Sequence, residues 1–417
     1  MNKPTYIVLI IVSMLTFFTG CSGSKSKDSG ITLTILTVES VREREAFARI
    51  LRAYKRVRPE VKFNMIYAGG NFYDKAMTML AGGETTDLLW LGEGFPAFAE
   101  KGMLLDISPY LKKNNINTAD YYPAAVDRYR YVDKLYTIPY GLSLQFFLYN
   151  KNMFQEAGLA APAAGWSYKD MLTAARKLTA RSGSTAGVKY DIFGIFNVHW
   201  QTLIHSFGGK IIDDAAKTCL INSSESLAAL EFYHDLFNKH RVMATDSARE
   251  SIGTGGDVQL FLMNRSAMGM EYTWSMGTLA ENKTVSWDIC ENPVEKKPAH
   301  WMSTEALVIN SKSKQPDEAA KFLMFTISES ALKMRSASVP SLISLNKSTE
   351  GHKNKTYNWK CFDPIVQSAF MSPRTVKFTE FSSQLNNMIT EIRDSKKGFD
   401  RGIIQQYLPR LNAILRE

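Results

Sequence analysis

Residues Leu135–Lys151 read LYTIPYGLSLQFFLYNK, and this stretch decides how the rest of the chain is divided. It opens with the apolar/polar alternation of a strand and turns at Pro139, Tyr140 and Gly141. It then runs as a second strand through Phe146 and Phe147 to Tyr149, with Asn150 and Lys151 closing it. A strand that leaves one packed unit through Pro-Tyr-Gly and enters another is how two lobes share a hinge. The residues before the turn are expected to form a first lobe, and most of those after it a second. The gap between them is where function is expected.

A chain of 417 residues suits two or three compact units. Its 45% hydrophobic and 22% charged residues are ordinary for a globular protein. The net charge of +9 raises the question of nucleic acid. The cations are scattered, however. The densest group (Arg42, Arg44, Arg49, Arg52, Lys55, Arg56, Arg58) is interleaved with Glu43 and Glu45, the pattern of a solvated helix face. No nucleic-acid partner is expected; an acidic membrane surface nearby is a milder use of the charge.

The first residues speak to compartment. Lys3 gives a basic start, and Tyr6–Phe18 is an apolar core too short for a comfortable membrane span. Phe18-Thr19-Gly20-Cys21 and the polar tract SGSKSKDSG come next. This resembles a bacterial lipoprotein signal: residues 1–20 removed, Cys21 lipidated, 21–30 a tether. No later apolar run is long enough to cross a bilayer, so the mature chain is expected to be soluble and held at the cell envelope by lipid. Cys219, Cys290 and Cys361 remain, and neither their number nor their wide spacing makes a disulfide framework or a metal motif. One pair could bridge, or all three could be buried thiols.

Along the chain, strand and helix patterns alternate: Ile31–Val38, Arg42–Val57, Val61–Tyr67, Phe72–Ala81, Asp87–Leu91, then a helix from Gly94. That order predicts a parallel, doubly wound sheet with Glu39, Ser40, Trp90 and Glu93 at its carboxyl end, where ligands meet such sheets. Beyond the hinge, helices are expected over Asn152–Ala157, Tyr168–Ala180, His199–Phe207, Ser224–Asn238, Asp317–Ser328, Thr379–Ser395 and Ile403–Leu415. Strands are expected at Ile192–Phe196, Ala267–Glu271, Val285–Cys290 and Ala306–Ile309, with PVEKKPAHWMST as a loop.

Several blocks together resemble the family 1 extracellular solute-binding proteins of bacterial ABC importers. They are TDLLWLGEGFPAFAEKGMLLDISPYL, the hinge run, WSYKDMLTAARKLT, SFGGKIID, LFLMNRSAMGMEYTW and TEALVINSKSKQPDEAAKFLMF. The resemblance covers nearly all of Ile31–Glu417. It implies an α/β, periplasmic-binding-protein-like fold: two doubly wound lobes joined by a multi-strand hinge. Crossings are implied near Ile138–Leu142, Ile289–Val294 and Ser338–Ser341. Residues 31–140 and 293–339 then form one lobe, and 141–292 and 340–417 the other. It also implies a monomer that binds a mono- or oligosaccharide in the cleft and delivers it to ABC permease subunits, with no cofactor, no metal and no reaction.

For such a ligand, rings offer a surface to the apolar C–H face of a sugar, while carboxylates, amides and hydroxyls pair with its rim. The resemblance puts Trp274 at a position of sugar stacking, and Trp90 and Glu93 on a contact loop. His199, Trp200, His300, Trp301 and Ser303 are expected to line the cleft, and Tyr140, Ser143 and Gln145 lie on the hinge run. Glu39 could accept from a hydroxyl, and Asn71 is a contact or a helix cap. Arg335 is expected to be structural. The rival from another class is a glycoside-processing enzyme using Glu39 and Glu93 as its acid pair. No nucleophile elbow, phosphate loop or metal-spaced cluster supports catalysis. A sensor subunit for a membrane kinase, and a receptor for a polyol or glycerol phosphate ester, stay open as well.

Overall fold

In the computed structural model, the described residues are 30–417 apart from 39–40, 70–71, 85, 186–187, 253–256, 335–338, 344 and 346–355. Strand β1 (Thr32–Val38) lies between β2 (Lys62–Ala68) and β3 (Leu88–Trp90), parallel to both. Parallel neighbours need crossover helices. Val41–Val57 supplies the first and buries Phe47, Ile50 and Tyr54 at helical spacing; Phe72–Ala81 supplies the second through Phe72, Ala76 and Leu80. A fourth strand, Leu307–Ile309, joins β3 antiparallel from far down the chain. The parallel arrangement places the ends of β1 and β3 together, and with them the loop after Trp90.

The strand Gly141–Asn150 is buried at all ten positions. Alternation gives it two different faces. Leu142, Leu144, Phe146 and Leu148 enter one core with Phe196, Phe261, Phe362 and Ile365. Phe147 and Tyr149 enter another with Met171, Leu203, Leu236 and Phe381. Ser143 and Gln145, on the Phe147 side, stay polar and belong to neither core.

Both edges of this strand are shared. On one, Trp287–Cys290 pairs with Phe147–Asn150 and His300–Glu305 with Gly141–Leu144, both antiparallel. On the other, Ser266–Tyr272 covers Gln145–Tyr149 and Val339–Pro340 covers Gly141–Leu142. Val188–Ile195 then pairs parallel with Ser266–Tyr272, and Ala180–Thr185 pairs antiparallel with Val188–Ile195. The C-terminal helices Phe378–Asp394 and Arg401–Arg416 close the core around Phe147 through Phe381, Met388, Ile392, Ile404 and Leu411.

Three details differ from the reading of the sequence. Leu135 closes a short hairpin with Arg130, and the long ladder begins only at Gly141, after Pro139, which has no N–H to give it. The loop expected at PVEKKPAHWMST ends in a strand, His300–Glu305, whose inward side is His300, Met302 and Thr304. Two polar residues on the buried side hid its period. The chain consequently leaves the second sheet for the first between Glu305 and Leu307, whereas Val294 donates its N–H to the Trp166 carbonyl at 2.8 Å, within the second unit.

Since Phe147 is fully buried where the ladder and the second core meet, Phe147→Ala is expected to cost about 3–5 kcal/mol. The check is a lower midpoint in urea unfolding; an unchanged midpoint would show that this strand does not anchor the core.

Candidate functional site

Ser266–Tyr272 delivers Tyr272 to its carboxyl end, and the tight turn Thr273–Ser275 presents Trp274, which is 40% exposed. The turn is fixed by the buried Glu271 carboxylate, which accepts from the Tyr272 N–H at 2.9 Å and the Ser275 hydroxyl at 2.8 Å. Burial holds that carboxyl above its ordinary range. Tyr272 stacks on one face of the Trp274 indole, centroids 4.1 Å apart and planes at 19°. Trp301 stands edge-on to both, at 5.4 Å and 6.0 Å. His199 lies 6.0 Å from Trp301 and 6.2 Å from Tyr272, with the buried Trp200 beyond it at 6.5 Å. These rings form one wall.

The floor is the polar part of the shared strand. Gln145 sits opposite Tyr272 and donates to its hydroxyl at 3.2 Å, while its carbonyl accepts from Thr202 at 2.7 Å and Asn292 at 3.0 Å. Ser143 donates to Glu305 at 3.0 Å. Trp301, Ser303 and Glu305 keep some exposure while His300, Met302 and Thr304 are buried, so the strand turns its odd-numbered face to the same floor.

The opposing wall comes from the first sheet. Trp90 ends β3, edge-on to Phe72 at 5.7 Å and parallel to Tyr73 at 6.4 Å. Gly92-Glu93-Gly94 comes next in the chain. A Cβ on Gly94 would fall 2.6–2.8 Å from carbons of the Tyr73 ring, so glycine is required for that ring to lie against the loop. Desolvation raises the Glu93 carboxyl above its ordinary range and Arg128 opposes the rise. Arg128 is 4% exposed and donates to the Ser372 carbonyl at 2.9 Å, with a longer contact of 3.5 Å to the Glu93 carbonyl. The Ser372 hydroxyl in turn accepts from the Trp301 indole at 3.0 Å. Tyr129 adds a second link, donating to the Leu91 carbonyl at 2.8 Å and meeting the Thr304 hydroxyl at 2.9 Å. The two walls therefore meet through Arg128, Ser372 and Tyr129.

The histidines near the wall are held neutral by burial. His199 and His205 are lowered to about 4, with repulsion from neighbours a smaller cause (His205, when protonated, for the first; Lys297 and Lys210 for the second). His205 also stacks on Phe370 at 3.8 Å, extending the ring wall past Trp301. His300 is lowered to about 3. Its Nε2 accepts from the Asn292 N–H at 2.9 Å, which leaves Nδ1 to donate to Ser368 at 2.9 Å. These groups present neutral hydrogen-bonding surface, not charge, at neutral pH.

Of the residues expected from sequence, His199, Trp200, Trp274 and Trp301 come together in the ring wall, Trp90 and Glu93 in the opposing one, and Ser143 in the floor. Tyr140 does not join them. It is 1% exposed and lies edge-on to Phe47 at 6.3 Å in the first core, because the turn through Pro139 sends its ring inward. His300 is fully buried and supports the wall from behind. Glu39, Asn71, Cys21 and Arg335 lie outside the described residues. Sequence reasoning missed Tyr73, Arg128 and Ser372, and gave Tyr272 no role. The doubled glycine around Glu93 was a usable signal for a ring packed there; Arg128, one of two arginines in YYPAAVDRYRYV, carried none. Cys219, Cys290 and Cys361 are buried free thiols. Among the described residues no cluster of His, Cys, Asp or Glu suits a metal ion, and no helix is long and apolar enough to cross a membrane. A cavity of about 850 Å³ beside Lys151, Trp287 and Tyr357 lies at the far end of the shared strand from these walls.

Two α/β units that face each other across shared strands, with rings on one side and a half-buried acid near a buried guanidinium on the other, define a binding protein of the two-lobed kind. The chain belongs to the bacterial extracellular solute-binding proteins, whose family model matches residues 40–333. It is similar to the ABC substrate-binding protein of Listeria monocytogenes solved in complex with cycloalternan, at 20% identity over 93% of this chain and 99% of that one, TM-score 0.81. It is also similar to an ABC transporter solute-binding protein from Thermotoga lettingae bound with alpha-D-tagatose, at 24% identity, 92% and 100% coverage and TM-score 0.77. An uncharacterized ABC transporter extracellular-binding protein of Pyrococcus horikoshii is 24% identical over 232 residues, 50% of this chain and 52% of the relative. At these identities the likeness is one of fold.

The buried histidines give a pH dependence with a definite sign. His300 takes a proton near its ordinary pKa of 6.5 when unfolded but only near 3 when folded, so its stabilising effect is complete above 6.5 and is lost as pH falls from there towards 3. For His300 alone the loss from pH 6.5 to 5 is about 2 kcal/mol, with His199 and His205 acting in the same direction. Melting curves at pH 7 and pH 5 should show the drop, and His300→Gln should flatten it; an equal drop in that variant would place the effect elsewhere.

Proposed function

We propose that this chain is an extracytoplasmic carbohydrate receptor that closes on one sugar and delivers it to an ABC importer. The observation that carries this reading is Trp274: a large, part-exposed indole, backed on one face by Tyr272 and braced by Trp301, opposite the loop of Glu93, which Arg128 contacts from a separate segment. An indole so held suits the apolar face of a pyranose, and its polar surroundings suit the hydroxyl rim. Neutral histidines, and a Glu93 carboxyl raised by desolvation with the Arg128 charge opposing, favour an uncharged ligand.

In this reading residues 31–140, with the run from Leu307 to about 339, move as one lobe and the rest of the described chain as the other. They swing about the crossings at Tyr140–Gly141, Glu305–Leu307 and Val339–Pro340. Binding biases that equilibrium because the closed form alone offers both walls. Each hydrogen bond is worth only about 1 kcal/mol net, so wrong sugars are rejected by the groups they leave unpaired. The protein acts as a monomer, without cofactor and without turnover. Cys21 carries a lipid that holds it to the envelope membrane, and residues 22–30 are the tether. The importer's permease subunits receive the liganded form.

A thermal-shift screen with tagatose, maltose, mannobiose and cycloalternan tests the carbohydrate class. A ligand at a hundred times its dissociation constant adds about 2.7 kcal/mol, a rise of several degrees. Trp274→Ala should abolish the shift while melting close to the parent. Normal binding by that variant removes the stacking role; no shift with any saccharide in a wider panel removes the carbohydrate reading. Release of smaller sugars on incubation would reveal an enzyme.

A further inference from the structure

The helix Val41–Val57 carries Arg49, Arg52 and Arg56 at spacings of three and four, with Lys55 beside them, all exposed. Such spacing puts the three arginines on one stripe. Among the described residues none of these four cations has an ion pair or side-chain hydrogen bond. The acids nearby are engaged: Glu60 and Glu318 hold Arg58, and Glu318 also holds Lys321. Glu45, one turn before Arg49, is the other carboxylate on this face. At the helix end Val57 is 65% exposed, an apolar side chain next to the cations.

The position of this patch is set by topology. The helix runs back along β1, so its last turn lies at the strand's starting edge. There the Lys62 N–H donates to the Ile31 carbonyl at 2.7 Å, and Thr32 registers with Lys62. The chain thus enters the described structure at Gly30–Ile31, beside the basic helix end. From Cys21 to Gly30 a fully extended chain spans at most about 30 Å. Trp90 and Glu93 lie at the opposite end of the sheet, about 20 Å away along β1.

We propose that the C-terminal half of this helix is a docking surface for anionic phospholipid headgroups, on which the first lobe rests with its cleft end turned to solution. The four cations spread over about 10 Å of a convex helix face, a shape that suits a charged surface and not an enclosed anion. The tether keeps the patch within reach of the bilayer, so modest affinity suffices. The tether depends on the lipid on Cys21; the surface does not.

The test therefore uses the unlipidated chain from Ser22 to Glu417, which retains all described residues, in co-flotation with vesicles. Binding is expected to vesicles of 70% phosphatidylcholine and 30% phosphatidylglycerol in 50 mM NaCl, not to pure phosphatidylcholine, and to be lost in 500 mM NaCl. The variant R49Q/R52Q/K55Q/R56Q should bind at least tenfold more weakly with an unchanged melting curve. The control K112Q/K113Q, which removes two exposed cations elsewhere on the first lobe, should bind as the parent does. Equal loss in both variants would reduce the effect to net charge, and undiminished binding in the fourfold variant would overturn the proposal. So would retention on a 20-bp DNA duplex with no vesicle binding. Absence of a lipid on Cys21 by mass spectrometry would remove the anchor alone.

Discussion

A strand buried on both faces and paired on both edges has no freedom to lean towards either of the bodies it joins. Gly141–Asn150 is in that position, and the protein is built around it. Its even-numbered side chains must fill one core and Phe147 and Tyr149 another, so any slip in register would put apolar residues where Ser143 and Gln145 now lie. Those two mark where the apolar packing stops. A buried polar side chain needs partners, and Gln145 finds three of them, Thr202, Asn292 and Tyr272, on three separate segments. The floor of the cleft is thus the place where the shared strand changes from packing to hydrogen bonding.

The two walls are made by different physics. The ring wall is a set of edge and face contacts in which Tyr272, Trp301 and His199 support one part-exposed indole. The opposing wall is electrostatic, a desolvated acid facing a buried guanidinium whose donors go to carbonyls. Ser372 touches both, with its carbonyl on Arg128 and its hydroxyl on Trp301. One residue therefore ties the orientation of a ring in one unit to a cation in the other, independently of the covalent crossings.

Parallel β–α–β geometry also separates the protein's two ends. Strand carboxyl ends gather Trp90 and Glu93, while the starting edge gathers the chain entry and the last turn of the first helix. Side chains at the two ends of this small sheet do not compete for space, because the strand length keeps them apart.

Much of this is legible in the order of the residues. Period-3.6 patterns locate the helices Phe72–Ala81 and Ser224–Asn238, and apolar residues alternating with Thr, Ser and Gln locate β1 and the shared strand, because burial is written into side-chain polarity. Trp274 and Trp301 are nameable because few residues offer a ring of that size. What local pattern does not show is pairing across distance. His300–Glu305 looks like a loop because His300 and Thr304 face inward, and their burial is tolerable only through hydrogen bonds such as those of His300 to Asn292 and Ser368 and of Thr304 to Tyr129. Tyr140 looks like a contact because nothing in Pro-Tyr-Gly says which way the ring turns. Arg128 and Ser372 are 244 residues apart, and no property of either announces the other. The sequence by itself determined which segments are helix or strand and which rings were available to a ligand, since those depend on near neighbours. Only the tertiary structure decided which of them share a cleft, since that depends on where separate strands meet along one ladder.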